Sequence, residues 1–197
     1  MTKPIILVDS DQVLAQFVKK WLDTYNERYD DNLTEEEFAG TFGGVHEVVK
    51  PEVGKKIYDL MKEPGFFADL DIVPGAQKAI EKLMEVAEVY IVTAYSADGE
   101  SAKGKVQWFE KHFPKIVEEE RLILCKPKFL VYGDVLIDDS MENLEDWQTF
   151  MEAKTNTSPV SICVAQSHNA EAADNPLIDI RLSTWTEILE YLNMVLL

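Results

Sequence analysis

The chain has 197 residues, 46% of them hydrophobic, which suits one domain, or one domain with a small insertion, and supplies a sizeable core. Its formal net charge of −17 repels polyanions and argues against nucleic acid as a partner, although a bound divalent cation can reverse the sign locally for a small anionic substrate. No apolar run approaches the roughly 20 residues of a membrane span, and residues 4–8 are too short for a signal peptide, so a soluble, cytoplasmic protein without a membrane partner is expected.

Residues 4–8 (PIILV) form an apolar run without alternation, as in a strand buried on both faces, and end in Asp9-Ser10-Asp11. A helix is predicted over 13–29, where Phe17, Trp21, Tyr25 and Tyr29 recur every four residues beside Val18 and Leu22. The segment 30–71 is less periodic, contains Gly40, Gly43, Gly44, Gly54 and Gly65, and carries one predicted helix near 51–61 with Pro51 in its first turn. Pro74-Gly75-Ala76 opens an amphipathic helix reaching Ala87. Strand–helix alternation follows: a strand at 89–92 ending at Thr93, a helix at 101–113 closed by Pro114, a short strand at 122–125, and a strand at 135–137 ending at Asp138-Asp139. Ser140 is placed to cap a helix at 141–152, 160–164 reads as another strand, and Ser183 is placed to cap a last helix at 185–192. The acidic runs 35–37 and 118–120 read as solvated faces, and Cys125 and Cys163 as buried thiols of a reducing compartment with no metal-ligand spacing.

This order predicts an α/β fold, a Rossmann-like parallel sheet with right-handed crossovers. The irregular piece after the first strand reads as a small, mainly helical cap: residues 1–17 and 73–197 form the core and 18–72 the cap. Ligands of such sheets bind beyond the carboxyl ends of the strands. There the fold gathers Asp9 and Asp11, Thr93, and Asp138 with Asp139. One aspartate after a strand is ordinarily a turn or cap residue. Several such positions in order point instead to chemistry. Clustered carboxylates repel unless a cation or proton sits among them, and hard oxygen ligands suit Mg²⁺. One carboxylate can attack phosphorus to give an acyl phosphate, and a second can protonate the leaving oxygen and then activate water. A hydroxyl, a lysine and amide N–H groups can neutralise the phosphoryl oxygens. Lys126 and Lys128, ahead of the strand that ends at Asp138, both qualify by position.

These residues resemble a family. Asp9-Ser-Asp-Gln-Val-Leu-Ala is similar to the first motif of haloacid dehalogenase (HAD) superfamily phosphatases; Thr93, a later lysine and Asp138-Asp139 resemble the other three. Residues 8–17 (VDSDQVLAQF), Gly65-Phe-Phe with Pro74-Gly-Ala, Lys105 with Trp108, Cys125 with Lys128, residues 133–139 (GDVLIDD), His168-Asn169, and Arg181 with Trp185 look like the 5′(3′)-deoxyribonucleotidase family over nearly the whole chain.

The resemblance implies Asp9 as nucleophile and Asp11 as general acid/base. It implies Mg²⁺ on the Asp9 carboxylate, the Asp11 backbone carbonyl and Asp138. Thr93, Lys128 and the Ala94 amide would hold the phosphoryl group, with Lys128 rather than Lys126 in the family lysine position. Asp139 would order metal waters or support Lys128, and Phe17 and Phe67 would stack on base or sugar. The substrate implied is a deoxyribo- or ribonucleoside monophosphate; a homodimer is left open. His168-Asn169 is expected to be structural. Alternatives are a HAD phosphatase acting on another small phosphoester, and a catalytically silent nucleotide-binding relative. Four departures stand out: Gln12 for the usual glycine, Gln16 for an acidic residue, Ser10 for a bulky apolar one, and Lys126-Pro127 for Gly-Asp. Gln12 and Gln16 are expected beside the pocket, where they would shift substrate preference.

Overall fold

The computed structural model describes residues 3–39, 44–97, 99–155 and 158–196; Gly40 and Gly43 of the predicted cap lie outside these. Its centre is a parallel sheet of six strands in the order β3-β2-β1-β4-β5-β6. The strands are β1 (Ile5–Val8), β2 (Glu88–Thr93), β3 (Leu122–Leu124), β4 (Val135–Asp138), β5 (Val160–Val164) and β6 (Ile180–Leu182). The chain leaves β1 toward one edge through β2 and β3, then returns to β4 on the other side of β1. That reversal opens a crevice beyond the carboxyl ends of β1 and β4.

Side chains alternate across a strand, and the core divides accordingly. Ile6 and Val8 of β1 face one hydrophobic cluster, which includes α3 (Ala76–Val86), α4 (Glu100–His112) and α7 (Trp185–Leu196). Leu7 faces the other, with Leu144, Trp147 and Met151 of α6 (Met141–Thr155).

Between β1 and α3 the chain leaves the sheet. It forms α1 (Phe17–Tyr29), α2 (Glu35–Ala39), and 3₁₀ segments at Val45–Glu47, Gly54–Lys62 and Phe66–Asp69. The way out and the way back are fastened together: Gln16 N–H donates to Asp71 O (2.8 Å), Val73 N–H to Leu14 O (2.8 Å), and the Gln16 side chain to Ile72 O (2.9 Å). The interior of this insertion is aromatic. Trp21 packs edge-on to Phe38 and beside Phe17 and Tyr58, and its indole N–H reaches Ile57 O at 3.0 Å.

Several boundaries differ from those the sequence predicts. The first helix begins at Phe17, not Val13, because the Leu14 and Ala15 amides both turn back to Ser10 O. The helix near 51–61 is a 3₁₀ segment shifted to Gly54–Lys62. Helix α4 ends at His112, two residues before Pro114, which also starts a short α5 (Pro114–Glu118), as proline does at a first helical turn. The last helix runs on to Leu196. Its capping side chain is Thr184 rather than Ser183: Thr184 Oγ1 accepts from the Glu187 amide (3.2 Å), and Glu187 accepts from the Thr184 amide (2.9 Å). Strand β6 has no counterpart in the predicted elements; it is a half-buried edge of three residues. Glu35–Glu37 and Glu118–Glu120 are exposed, Ser140 caps α6 through the Asn143 amide, and Cys163 is buried, but Cys125 is only half-buried.

Candidate active site

Asp9 follows the last residue of β1, and its amide donates to Ile137 O of β4 at 2.9 Å, so the end of β1 is pinned beside Asp138. A tight turn follows. The Gln12 amide donates to Ala15 O (2.8 Å) and Gln12 takes φ of +59°, a left-handed conformation that glycine adopts without strain. This is the physical reason glycine suits position 12.

The carboxylates of Asp9, Asp138 and Asp139 are buried and converge within 4.8 Å of one another. Lys128, delivered by the turn Lys128–Leu130, is itself buried, with Nζ 2.6 Å from Asp9 Oδ1 and 2.6 Å from Asp138 Oδ2. Burial alone would lower the lysine pKa, but the Asp138 and Asp9 carboxylates outweigh it and hold Lys128 protonated well above its ordinary range. Burial raises the pKa of Asp138, opposed by Lys128 and reinforced by Asp9 and Asp139. Burial likewise raises that of Asp139, opposed by His168, whose Nε2 lies 3.2 Å from Asp139 Oδ2. Three carboxylates balanced by one ammonium leave two negative charges, which matches a divalent cation held by oxygen ligands. Asp138 is further fixed by the Ser140 amide (2.9 Å) and the Asn143 side chain (3.1 Å).

Asp11 points elsewhere. Its Oδ2 receives Lys105 Nζ at 2.7 Å, and the same ammonium donates to Thr93 Oγ1 at 2.7 Å. Its Oδ1 is buried and has no hydrogen-bond partner among the described residues, an atom ready to hold a proton or meet a ligand. Burial raises the Asp11 pKa, Lys105 opposes the rise, and Asp9 adds to it.

Two adjoining cavities open over these groups. One, of about 240 Å³, is lined by Asp9, Asp11, Lys128, Asp138, Asp139 and Asn143. The other, of about 330 Å³, lies under the inserted segment between Phe17, Tyr58, Met61, Phe67, Tyr95 and Lys105. Ala94 lines both. Phe17 and Phe67 are nearly parallel, with centroids 5.8 Å apart, and Lys105 Nζ sits 5.2 Å over the Phe67 ring. An acidic pit for one end of a ligand thus joins an aromatic chamber for the other.

Comparison with known proteins agrees with this geometry. Residues 3–196 match the family described as 5′ nucleotidase, deoxy (pyrimidine), cytosolic type C protein (NT5C). The chain belongs to this deoxyribonucleotidase family. A 5′(3′)-deoxyribonucleotidase of Clostridium acetobutylicum is 38% identical over 148 residues, 75% of this chain and 79% of that one. One of Bacillus subtilis is 30% identical over 155 residues, 74% and 81% of the two chains. Among solved structures, a HAD family hydrolase from Deinococcus radiodurans with bound phosphate and sodium superposes with a TM-score of 0.64 at 13% identity, over 99% of this chain and 97% of that one. A HAD hydrolase from Bacillus subtilis bound to magnesium does so with a TM-score of 0.61 at 14% identity, over 98% and 100%. At such identities these two establish the HAD-like fold.

The structure brings Asp9, Asp11, Thr93, Ala94, Lys128, Asp138, Asp139, Phe17 and Phe67 to this one end of the sheet. Lys128 pairs with Asp9 and Asp138, whereas Asp139 pairs with His168. Of the residues expected to shift preference, Gln12 edges the acidic pit, and Gln16 lines neither cavity, being fastened to Ile72. Sequence reading missed Lys105 and Asn143 as site residues. A signal for Lys105 existed: it falls on the buried face of α4 with Ser101, Gly104, Trp108 and Phe109, where a charge needs a partner.

Proposed function

We propose that the chain hydrolyses the phosphate monoester of deoxyribo- or ribonucleoside monophosphates with Mg²⁺ as cofactor, residues 18–72 acting as a cap over a core of 1–17 and 73–197. One observation carries this reading: the pit of carboxylates braced by Lys128 opens directly into a chamber walled by aromatic rings. With a divalent cation among its carboxylates, phosphate suits the first, and nucleoside suits the second. The names of the clostridial and bacillar relatives support the nucleotide class and either phosphate position.

When bound by Asp9, Asp138 and the Asp11 backbone carbonyl, with Asp139 ordering its waters, Mg²⁺ would neutralise charge on the phosphoryl oxygens. The chain's own groups do the rest. Asp9 presents its carboxylate to phosphorus, and the bond to the nucleoside oxygen breaks as the acyl phosphate forms. Asp11 gives its proton to that leaving oxygen and afterwards takes one from the water that attacks phosphorus, as the bond to Asp9 breaks and phosphate leaves the regenerated carboxylate. The raised pKa of Asp11 suits the first task, and the opposing Lys105 keeps the second within reach. Thr93, Lys128 and the Ala94 amide hold the phosphoryl group, and Phe17 and Phe67 flank base or sugar. No described helix is long and apolar enough to cross a membrane. The cytoplasmic setting stays part of this proposal, and sedimentation velocity decides between monomer and homodimer.

Phosphate release from a panel of deoxyribo- and ribonucleotides, with and without Mg²⁺, tests the reading. Wild type is expected to turn over nucleotides only with the metal, and Asp9→Asn to lose roughly a thousandfold or more. Equal turnover by the two proteins removes Asp9 as nucleophile; preference for a phosphoester without a base removes the nucleotide.

A further inference from the structure

Gln12 occupies a backbone conformation that disfavours a side chain, yet its side chain is fully engaged. Its Oε1 accepts the Val18 amide at 2.9 Å, in the first turn of α1. Its Nε2 donates to Gln166 Oε1 at 3.3 Å, and Gln166 Nε2 donates back to Gln12 O at 3.1 Å. Gln166 is gripped in turn: its amide donates to Asn169 Oδ1 (2.8 Å), and its carbonyl accepts Arg181 Nη2 (2.8 Å). Buried Asn169 then donates to Asp139 O at 2.8 Å. A continuous run of hydrogen bonds therefore joins the head of α1, which carries Phe17 into the chamber, to the loop bearing the acidic cluster.

We propose that Gln12 and Gln166 form an amide clasp that sets the cap entry against the catalytic turn, making Gln166 a positioning residue for the nucleoside end of the substrate. The inference rests on the nucleotidase reading. Gln166 lines neither cavity, so it acts through Gln12 and α1 and not by touching the ligand. A glycine at position 12 relieves the backbone but cannot make this link.

The test compares a nucleoside monophosphate with p-nitrophenyl phosphate, which fills the pit without a nucleoside, in Gln166→Ala, Gln12→Gly and the double variant. Gln166→Ala is expected to raise KM for the nucleotide about 3- to 10-fold, the scale of one hydrogen bond, with kcat within about twofold and KM for p-nitrophenyl phosphate unmoved. The double variant should raise nucleotide KM no further than the worse single variant. An unchanged nucleotide KM, or equal rises for both esters, overturns the proposal. Hydrogen exchange at the Val18 amide, expected several-fold faster in Gln166→Ala, reads the clasp without any substrate; unchanged exchange also overturns it. Wild type that cleaves p-nitrophenyl phosphate but no nucleotide defeats the nucleotidase reading separately, and the exchange rate still decides whether the clasp holds α1.

Discussion

A lysine on the buried face of a helix must find opposite charge or shed its proton. Lys105 finds Asp11, and at the same time anchors the Thr93 hydroxyl. This makes the acid/base carboxyl of the proposed reaction a compromise: burial pushes its pKa up, and the ammonium pulls it back. Replacing Lys105 with methionine keeps the apolar stem and removes the pull. Asp11 then stays protonated to higher pH, so the alkaline limb of the kcat/KM profile should move upward, with turnover falling about 10- to 100-fold as the hydroxyl loses its anchor. A limb that stays put or moves to lower pH contradicts the pairing. At this scale Asp9, Thr93 and Ala94 are legible because they stand at strand ends, whereas Lys128, in a turn between β3 and β4, is set apart from Lys126 only by the family resemblance. The sequence hides Lys105 and Asn143, which lie inside helices and reach the site only once α4 and α6 have packed. The position of Gln12 beside the catalytic pair is legible, but not the reach of its side chain to the Val18 amide of α1 and to Gln166, which are partners set by tertiary packing.

Among the elements, α4 decides how closely the inserted segment approaches the sheet. It packs against the Phe66–Asp69 turn at Gly104, where a Cβ would stand 2.9 Å from Phe67 Cβ and 3.2 Å from Ala68 N. Glycine to alanine inside a helix normally stabilises by about 1 kcal/mol. Here neither neighbour can yield by turning a side chain, and overpacking of about 1–3 kcal/mol should win. Gly104→Ala is expected to lower Tm by roughly 2–8 °C and to weaken nucleotide binding by displacing Phe67 and Lys105 together. A higher Tm would mean that the helix propensity dominates and the contact is loose. The same packing accounts for what the sequence does not reveal of the elements. The longer strands and helices show in its periodicity, whereas β6, α2 and α5, of three to five residues, are too short to. The 3₁₀ segments of the insertion do not show there either, because tertiary partners hold them more than local preference does. Two tryptophans illustrate this: Trp21 and Trp108 donate their indole N–H groups to Ile57 O, within Gly54–Lys62, and to Leu70 O, at the end of Phe66–Asp69.

At the scale of the molecule, a chain of net charge −17 buries its most crowded acids at one end of the sheet. Asp11, Asp138 and Asp139 all have pKa values raised above the ordinary 3.8, so in the metal-free folded protein, between the unfolded and folded values, they hold protons that the unfolded chain has released. Their favourable contribution is complete below the unfolded value and is lost as pH rises through the folded ones. A divalent cation reverses this trend, because it binds the deprotonated carboxylates and competes with their protons. Metal-free protein should therefore lose stability from mildly acidic to mildly alkaline pH. Added Mg²⁺ should raise Tm more at about pH 8 than at about pH 5.5, in proportion to its tighter apparent binding there. Any salt relieves the general repulsion of so acidic a surface, so the comparison needs NaCl of matched ionic strength. Asp138→Asn supplies the decisive contrast. It removes a carboxylate of the cluster, and the excess of the Mg²⁺ shift over the NaCl shift should largely vanish with it. If that excess is the same at both pH values, or survives in Asp138→Asn, the cation binds to the general acidic surface and not among Asp9, Asp138 and Asp139.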